Sequence, residues 1–115
     1  MTDPETIHGW FDAWDADVLA SLVKHVVPTD GVVVEIGTWC GRSAAMMASR
    51  LGPNYTYHTV DCYIEDIVAK HGANLPKHPR EIAADVLAEY PSVVQHLATS
   101  TEVAEKWPHA PISVL

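Results

Sequence analysis

Two carboxylates and a glycine-bracketed turn are the groups in this chain whose types and spacing could do chemistry together. Glu35 closes the apolar run Val32-Val33-Val34 and is followed by Ile36-Gly37-Thr38-Trp39-Cys40-Gly41-Arg42-Ser43. Gly37 and Gly41 bracket a Gly-x-x-x-Gly turn, and a stretch rich in Ala and Met comes after it. That order predicts a buried strand, a tight loop and a helix N-terminus. A ligand can approach the backbone at such a glycine because no Cβ blocks it. The first N–H groups of the helix lack internal partners and can face the same ligand.

Three kinds of nucleotide-type ligand use a turn of this sort. A phosphate loop requires Gly-x-x-x-x-Gly-Lys-Ser/Thr. Here Gly41 is followed by Arg42-Ser43, and the glycine spacing does not fit. A dinucleotide fingerprint requires Gly-x-Gly-x-x-Gly. Trp39 stands where its second glycine belongs, and that bulk obstructs a pyrophosphate. Glu35 is the decisive difference. A carboxylate just before the turn repels a pyrophosphate but attracts a cationic amino-acid moiety. S-adenosylmethionine carries a sulfonium and an ammonium group and has no phosphate.

On these residues the chain resembles the class I S-adenosylmethionine-dependent methyltransferases. The stretch Val34-Glu35-Ile36-Gly37-Thr38-Trp39-Cys40-Gly41-Arg42-Ser43 is similar to their first motif. It is closest to the small-molecule branch with Glu-Ile-Gly-Thr-x-x-Gly-x-Ser. A second apolar run ends in Val60-Asp61, where the family has an acid that hydrogen-bonds the ribose hydroxyls of the cofactor. A carboxylate offers two oxygens that can accept from two neighbouring hydroxyls. Leu97-Ala98-Thr99-Ser100 is a weaker counterpart of a Gly-x-Ser-like segment that lines the adenine, with Ala98 in place of glycine.

The resemblance covers about residues 30–115. It implies an α/β, Rossmann-like parallel sheet with flanking helices, and S-adenosylmethionine as cofactor. It implies Glu35, Gly37, Thr38, Gly41, Arg42, Ser43, Asp61 and Ser100 as cofactor-binding residues. Glu35 and Asp61 are expected at the C-terminal ends of neighbouring strands, facing one crevice. The implied activity is methyl transfer to a small-molecule acceptor. Two other readings stay open: a protein that holds S-adenosylmethionine without transferring its methyl, and an enzyme that cleaves it.

The elements that must position these groups are legible from periodicity and punctuation. Ile7, Trp10, Phe11, Trp14, Val18, Leu22 and Val26 recur at spacings of three and four, predicting a first helical region with one inward apolar stripe. Trp10, Phe11 and Trp14 read as core residues or as a lid over the cofactor or acceptor. Pro28 stops this region, and Thr29-Asp30-Gly31 makes a turn. Strands are expected at 32–36, 55–60, 93–97 and 112–115, and helices over 42–51, 80–90 and 99–106. Thr99 and Glu102 fit a capping box. Residues 62–80 read as irregular with a short helix at 64–70. Strands alternating with helices predict a parallel sheet, with the resemblance giving the order 3-2-1-4. The chain divides into an N-terminal helical segment, 1–28, and a cofactor-binding half-domain, 29–115.

Composition narrows the class. Hydrophobic content of 48% with 19% charged residues describes a folded chain. A net charge of −8 with seven scattered basic residues disfavours nucleic acid, whose phosphates need clustered Lys and Arg. A small molecule or a protein is the expected partner. Cys40 and Cys62 make no disulfide framework. No apolar stretch approaches the roughly 20 residues that span a bilayer. A cytoplasmic, reduced protein is expected. Seven histidines are present, but His71 and His78 lack metal-ligand spacing and read as a solvated loop. His58 and His96 fall on strands as packing residues, and no metal is expected.

Relatives usually have seven strands, and continue the fourth into an acidic segment that carries catalytic or metal-binding groups. The sequence stops at Leu115, before that point. The catalytic base is therefore unassigned, and the chain is expected to be the cofactor part of a longer enzyme or a shortened protein. A fourth strand with an unpaired edge invites pairing with another chain, so a homo-oligomer is expected.

Overall fold

The computed structural model describes residues 2–107 and Ile112. A short 3-10 turn, Pro4–Thr6, leads into helix α1, Ala13–Val26. Then come β1, Val32–Ile36; α2, Arg42–Leu51; β2, Thr56–Asp61; α3, Glu65–His71; α4, Pro79–Leu87; β3, Val93–Leu97; and α5, Ser100–Glu105. The three strands form one parallel sheet in the order β1-β2-β3. Glu35 lies opposite Thr59, Ile36 opposite Val60, and Asp61 opposite Leu97. This is the 3-2-1 portion of the expected order. Of the fourth expected strand, 112–115, all but Ile112 lies outside the described residues.

The sheet has two different faces. Val33 and Tyr57 pack with α1, α2 and α4, in a core that includes Ala20, Val23, Ala44, Met47, Ala83 and Leu87. Val34 and Val60 face the other way, toward α5. Helix α2 is buried almost all round, through Ala44, Ala45, Met46, Met47, Ala48 and Leu51. Truncating a fully buried methionine such as Met47 to alanine would cost about 2–5 kcal/mol, since the lining cannot collapse completely.

Helix α1 departs from its expected face. It begins only at Ala13, because the Asp12 carboxylate accepts the N–H of Asp15 at 2.8 Å and caps it there. Ile7, Trp10 and Phe11 therefore precede the helix. Within it the buried face is Ala16, Ala20 and Val23, while Trp14, Val18, Leu22 and Val26 are exposed, Trp14 by 75%. The reason lies in the neighbour. Helix α1 packs on the alanine-rich α2, and small residues on both sides allow the close approach that a face of Trp and Leu would prevent. Arg50 and Asp17 join the two helices at 2.7 Å.

The remaining expectations fare differently. The capping box at Thr99 and Glu102 is formed in both directions. The irregular region holds α3, which ends at His71, and His78 is the N-cap of α4, its Nδ1 accepting the N–H of Arg80 at 3.1 Å. His58 is buried, with its Nδ1 2.9 Å from His96 Nε2 and its ring against Trp107. Cys40 and Cys62 are both free thiols. Among the described residues no helix is long and apolar enough to cross a membrane.

Candidate functional site

The glycine turn sits at the C-terminal ends of β1 and β2 and is built by β2. Gly37 has φ 100° and Gly41 φ 89°. A Cβ added at Gly37 would meet nothing within 4 Å, so the turn is open to a ligand there. At Gly41 the same atom would lie 3.2 Å from the Leu87 side chain. That glycine serves close packing of α2 on α4.

Asp61 braces the turn. Its Oδ2 accepts the backbone N–H of Thr38 at 2.9 Å and of Trp39 at 3.0 Å, and its Oδ1 accepts that of Tyr63 at 2.8 Å. Trp39 adopts φ 50°, a left-handed conformation unusual for a bulky residue. Three bonds hold it there. Its N–H donates to Asp61, its carbonyl accepts the Tyr63 hydroxyl at 2.7 Å, and its indole N–H donates to His8 Nδ1 at 2.9 Å. Backbone strain of this kind persists only where the surroundings over-determine it, and it concentrates at functional sites.

Glu35 occupies a neighbouring cleft rather than the one Asp61 lines. Its carboxylate accepts the Tyr57 hydroxyl at 3.1 Å and, more weakly, that of Thr59 at 3.4 Å. It borders a cleft of about 370 Å³ with Leu19, Val23, Met47 and Tyr57. The expectation of a single shared crevice is corrected accordingly. Strand period two gives Glu35, Thr59 and Asp61 the same sheet face, but the Asp61 carboxylate is turned to the backbone N–H groups of Thr38, Trp39 and Tyr63. Burial pushes the Glu35 carboxyl above its ordinary value of 4.5, and Asp61 adds to the rise. The hydroxyls of Ser43, Tyr57 and Thr59 oppose it. A half-buried carboxylate next to a cleft, without a cationic partner among the described residues, is a candidate for ligand recognition.

Two clefts meet at Gly37 and Asp61. One, of about 260 Å³, is lined by His8, Gly9, Trp10, Phe11, Thr38, Trp39, Arg42 and Ser43 besides those two. The other, of about 220 Å³, runs toward Cys62, Ala98, Thr99 and Ser100. The structure thus brings Gly37, Thr38, Arg42, Ser43, Asp61 and Ser100 to one continuous mouth. Trp10 and Phe11 line it, as a lid would, and Trp14 does not. Arg42 is engaged elsewhere. Its Nε donates to the Phe11 carbonyl at 2.5 Å, and one terminal nitrogen donates to the carbonyls of Ile7, at 3.0 Å, and Glu5. Among the described residues, no group of three or more His, Cys, Asp and Glu could hold a metal ion.

A family profile described as "Methyltransferase domain" matches residues 34–115, most of the chain. The chain belongs to that family. The match starts just before Glu35 and takes in the whole turn, β2 and the segment through Ser100. Two solved structures share this methyltransferase-domain fold. One is described as a "putative O-methyltransferase" from Klebsiella pneumoniae, with TM-score 0.64 and 21% identity over 94% of this chain and 44% of that one. The other is the O-methyltransferase TomG from Streptomyces achromogenes, involved in tomaymycin synthesis and solved in complex with S-adenosylmethionine. Its TM-score is 0.62 and its identity 22%, over 91% of this chain and 44% of that one. The chain spans less than half the length of either. No curated protein matches the sequence.

Sequence reasoning missed the supporting residues Tyr57, Thr59 and Tyr63. The first two were within reach. In a parallel sheet Glu35 and Thr59 fall opposite each other, and strand period two then puts Tyr57 on the same face. Tyr63 has no sequence signal, because its role depends on the left-handed backbone at its own position, φ 51°.

Proposed function

We propose that this domain binds S-adenosylmethionine across the mouth between β1 and β2 and serves methyl transfer to a small-molecule acceptor. The observation that carries the reading is the pairing of an open Gly37 with a half-buried Glu35, on the same strand end, that has no cationic partner among the described residues. An ammonium or sulfonium group near Glu35 would offset the desolvation of its carboxylate, and a pyrophosphate would add to the repulsion. The residues therefore fit the cofactor's chemistry. Ser43 spans the two sites, since it lines the mouth and hydrogen-bonds Glu35. The segment at Ala98, Thr99 and Ser100 then takes the adenine end, and the side walled by Trp10 and Trp39 takes the methionine end and the acceptor.

When bound, the cofactor supplies an electrophilic methyl group. This chain's residues hold it and exclude water from it, which is positioning rather than acid–base chemistry. The acceptor's base is unassigned. Calorimetry with S-adenosylhomocysteine and with NAD tests the binding: the first should bind and the second should not. Incubation with S-adenosylmethionine and a panel of hydroxyl, amine and carbon acceptors, read by mass spectrometry, tests the activity. Methylated acceptor with S-adenosylhomocysteine supports transfer. Binding with no turnover favours a holding protein, and cofactor fragments favour cleavage.

A further inference from the structure

We infer that Arg42 is a positioning residue: its guanidinium seats residues 5–11 as the second wall of the cofactor mouth, and it does not itself touch the ligand. This rests on the proposed binding at Gly37 and Asp61. The sequence places Arg42 inside the motif, as the first residue of α2, and there a cation opposes the positive end of the helix. Its use lies outward. Three backbone carbonyls spread over seven residues, those of Glu5, Ile7 and Phe11, converge on one guanidinium. A planar guanidinium with several fixed donors suits three acceptors spread in this way.

The segment so held also has Phe11 packed against the core. Ile7 is its buried anchor in the core. Gly9 lies against the arginine stem, and a Cβ there would come within 3.0 Å of Arg42 Cδ and 3.2 Å of its Cβ. Between these points the strap presents His8, Trp10 and Phe11 to the mouth. The His8 ring accepts the Trp39 indole N–H, and Trp10 lies 6.1 Å from Trp39, ring centre to ring centre, and 5.8 Å from His71. The strap and the strained turn therefore form one aromatic wall. Arg42 reaches that wall through the carbonyls of the strap, with three of its five N–H donors engaged there.

The test is nuclear magnetic resonance on the isotopically labelled full chain. The Trp39 indole N–H, donated to His8, reports strap docking without any ligand. In Arg42→Lys that resonance should move to the position of a free indole and exchange with water at least tenfold faster. The amides of α2 should be unchanged. Gly9→Ala should do the same with the guanidinium intact, which keeps the test open if Arg42→Lys does not fold. Affinity for S-adenosylhomocysteine should fall about tenfold in both. An indole resonance that stays put in both variants overturns the proposal. So does tenfold weaker binding in Arg42→Lys with the strap still docked, because Arg42 would then contact the ligand directly. Failure of the parent chain to bind S-adenosylhomocysteine would overturn the cofactor reading, while the indole measurement would still decide what seats the strap.

Discussion

The hydroxyls of Thr38 and Thr59 lie 2.6 Å apart in the buried space between the turn and β2. They join the two carboxylates of the site. Thr59 reaches Glu35 on one side, and Thr38 gives its backbone N–H to Asp61 on the other. Glu35 and Asp61 thus occupy separate clefts yet belong to one hydrogen-bonded unit. A change in charge at either is felt at the other through two short side chains.

Asp61→Asn tests the bracing role. An amide has one acceptor oxygen where the carboxylate had two, and its NH2 opposes the backbone donors at 2.8–3.0 Å. Hydrogen bonds to a charged acceptor contribute about 1.5–3 kcal/mol each, and the three share one group. The variant should lose stability of that order in urea unfolding, together with affinity for S-adenosylhomocysteine. Lost affinity with unchanged stability would show that Asp61 acts by direct contact and not by shaping the turn.

Glu35→Gln should show a cost that depends on pH. Burial raises the folded-state pKa of this carboxyl, so the folded form favours the proton. The native Glu35 is least costly at low pH, and its burial penalty appears as pH rises through the raised folded value. Glutamine never carries that charge. The variant should therefore melt higher than the parent at pH 7, with the difference shrinking as pH falls from the raised folded value toward 4.5, the ordinary value, and gone below it. A gain that persists undiminished in acid would mean that packing, not charge, is responsible. Binding should move the other way. A cation beside Glu35 favours its ionised form, so calorimetry in buffers of different ionisation enthalpy should detect proton release in mildly acidic solution.

Much of this architecture was legible because it rests on local patterns. The β-branched run, the prolines at 28, 53 and 91, and the glycine turn set three strands and their helices almost residue for residue. The face of α1 was not legible. Periodicity identifies an apolar stripe but not which stripe a neighbour can accept, and an alanine-rich α2 accepts Ala16 and Ala20 in preference to Trp14 and Leu22. The site followed the same division. Gly37, Ser43, Asp61 and Ser100 come to one mouth. The three-carbonyl grip of Arg42 joins residues 31 to 37 positions apart, a relationship no spacing rule contains.

Gly37→Ala separates backbone strain from steric blockage. No protein atom would meet the new methyl, so any loss of stability reflects the left-handed φ of 100° alone. That penalty is about 1–2 kcal/mol for an L-residue. The methyl also projects into the space reserved for the ligand, so affinity should fall by more than the stability does. Unchanged binding of S-adenosylhomocysteine in a folded Gly37→Ala protein would place the cofactor away from this turn.

The two cysteines offer a chemical readout of the same mouth. Cys40 is fully buried inside the turn, and burial pushes its thiol up to about 11. The thiolate is the reactive form, so at pH 8 Cys40 is both unreachable and protonated. Cys62 is exposed and lines the cleft that runs from Asp61 to Ser100. Iodoacetamide should therefore alkylate one thiol per folded chain, at Cys62, and reach Cys40 only on unfolding. Peptide mapping by mass spectrometry reads both sites. If the nucleoside end of the cofactor lies along that cleft, saturating S-adenosylhomocysteine should slow alkylation of Cys62 severalfold, whereas NAD should not. Equal rates with and without S-adenosylhomocysteine, in a protein shown by calorimetry to bind it, would place the nucleoside outside the cleft beside Ser100 and return Asp61 to a purely structural role.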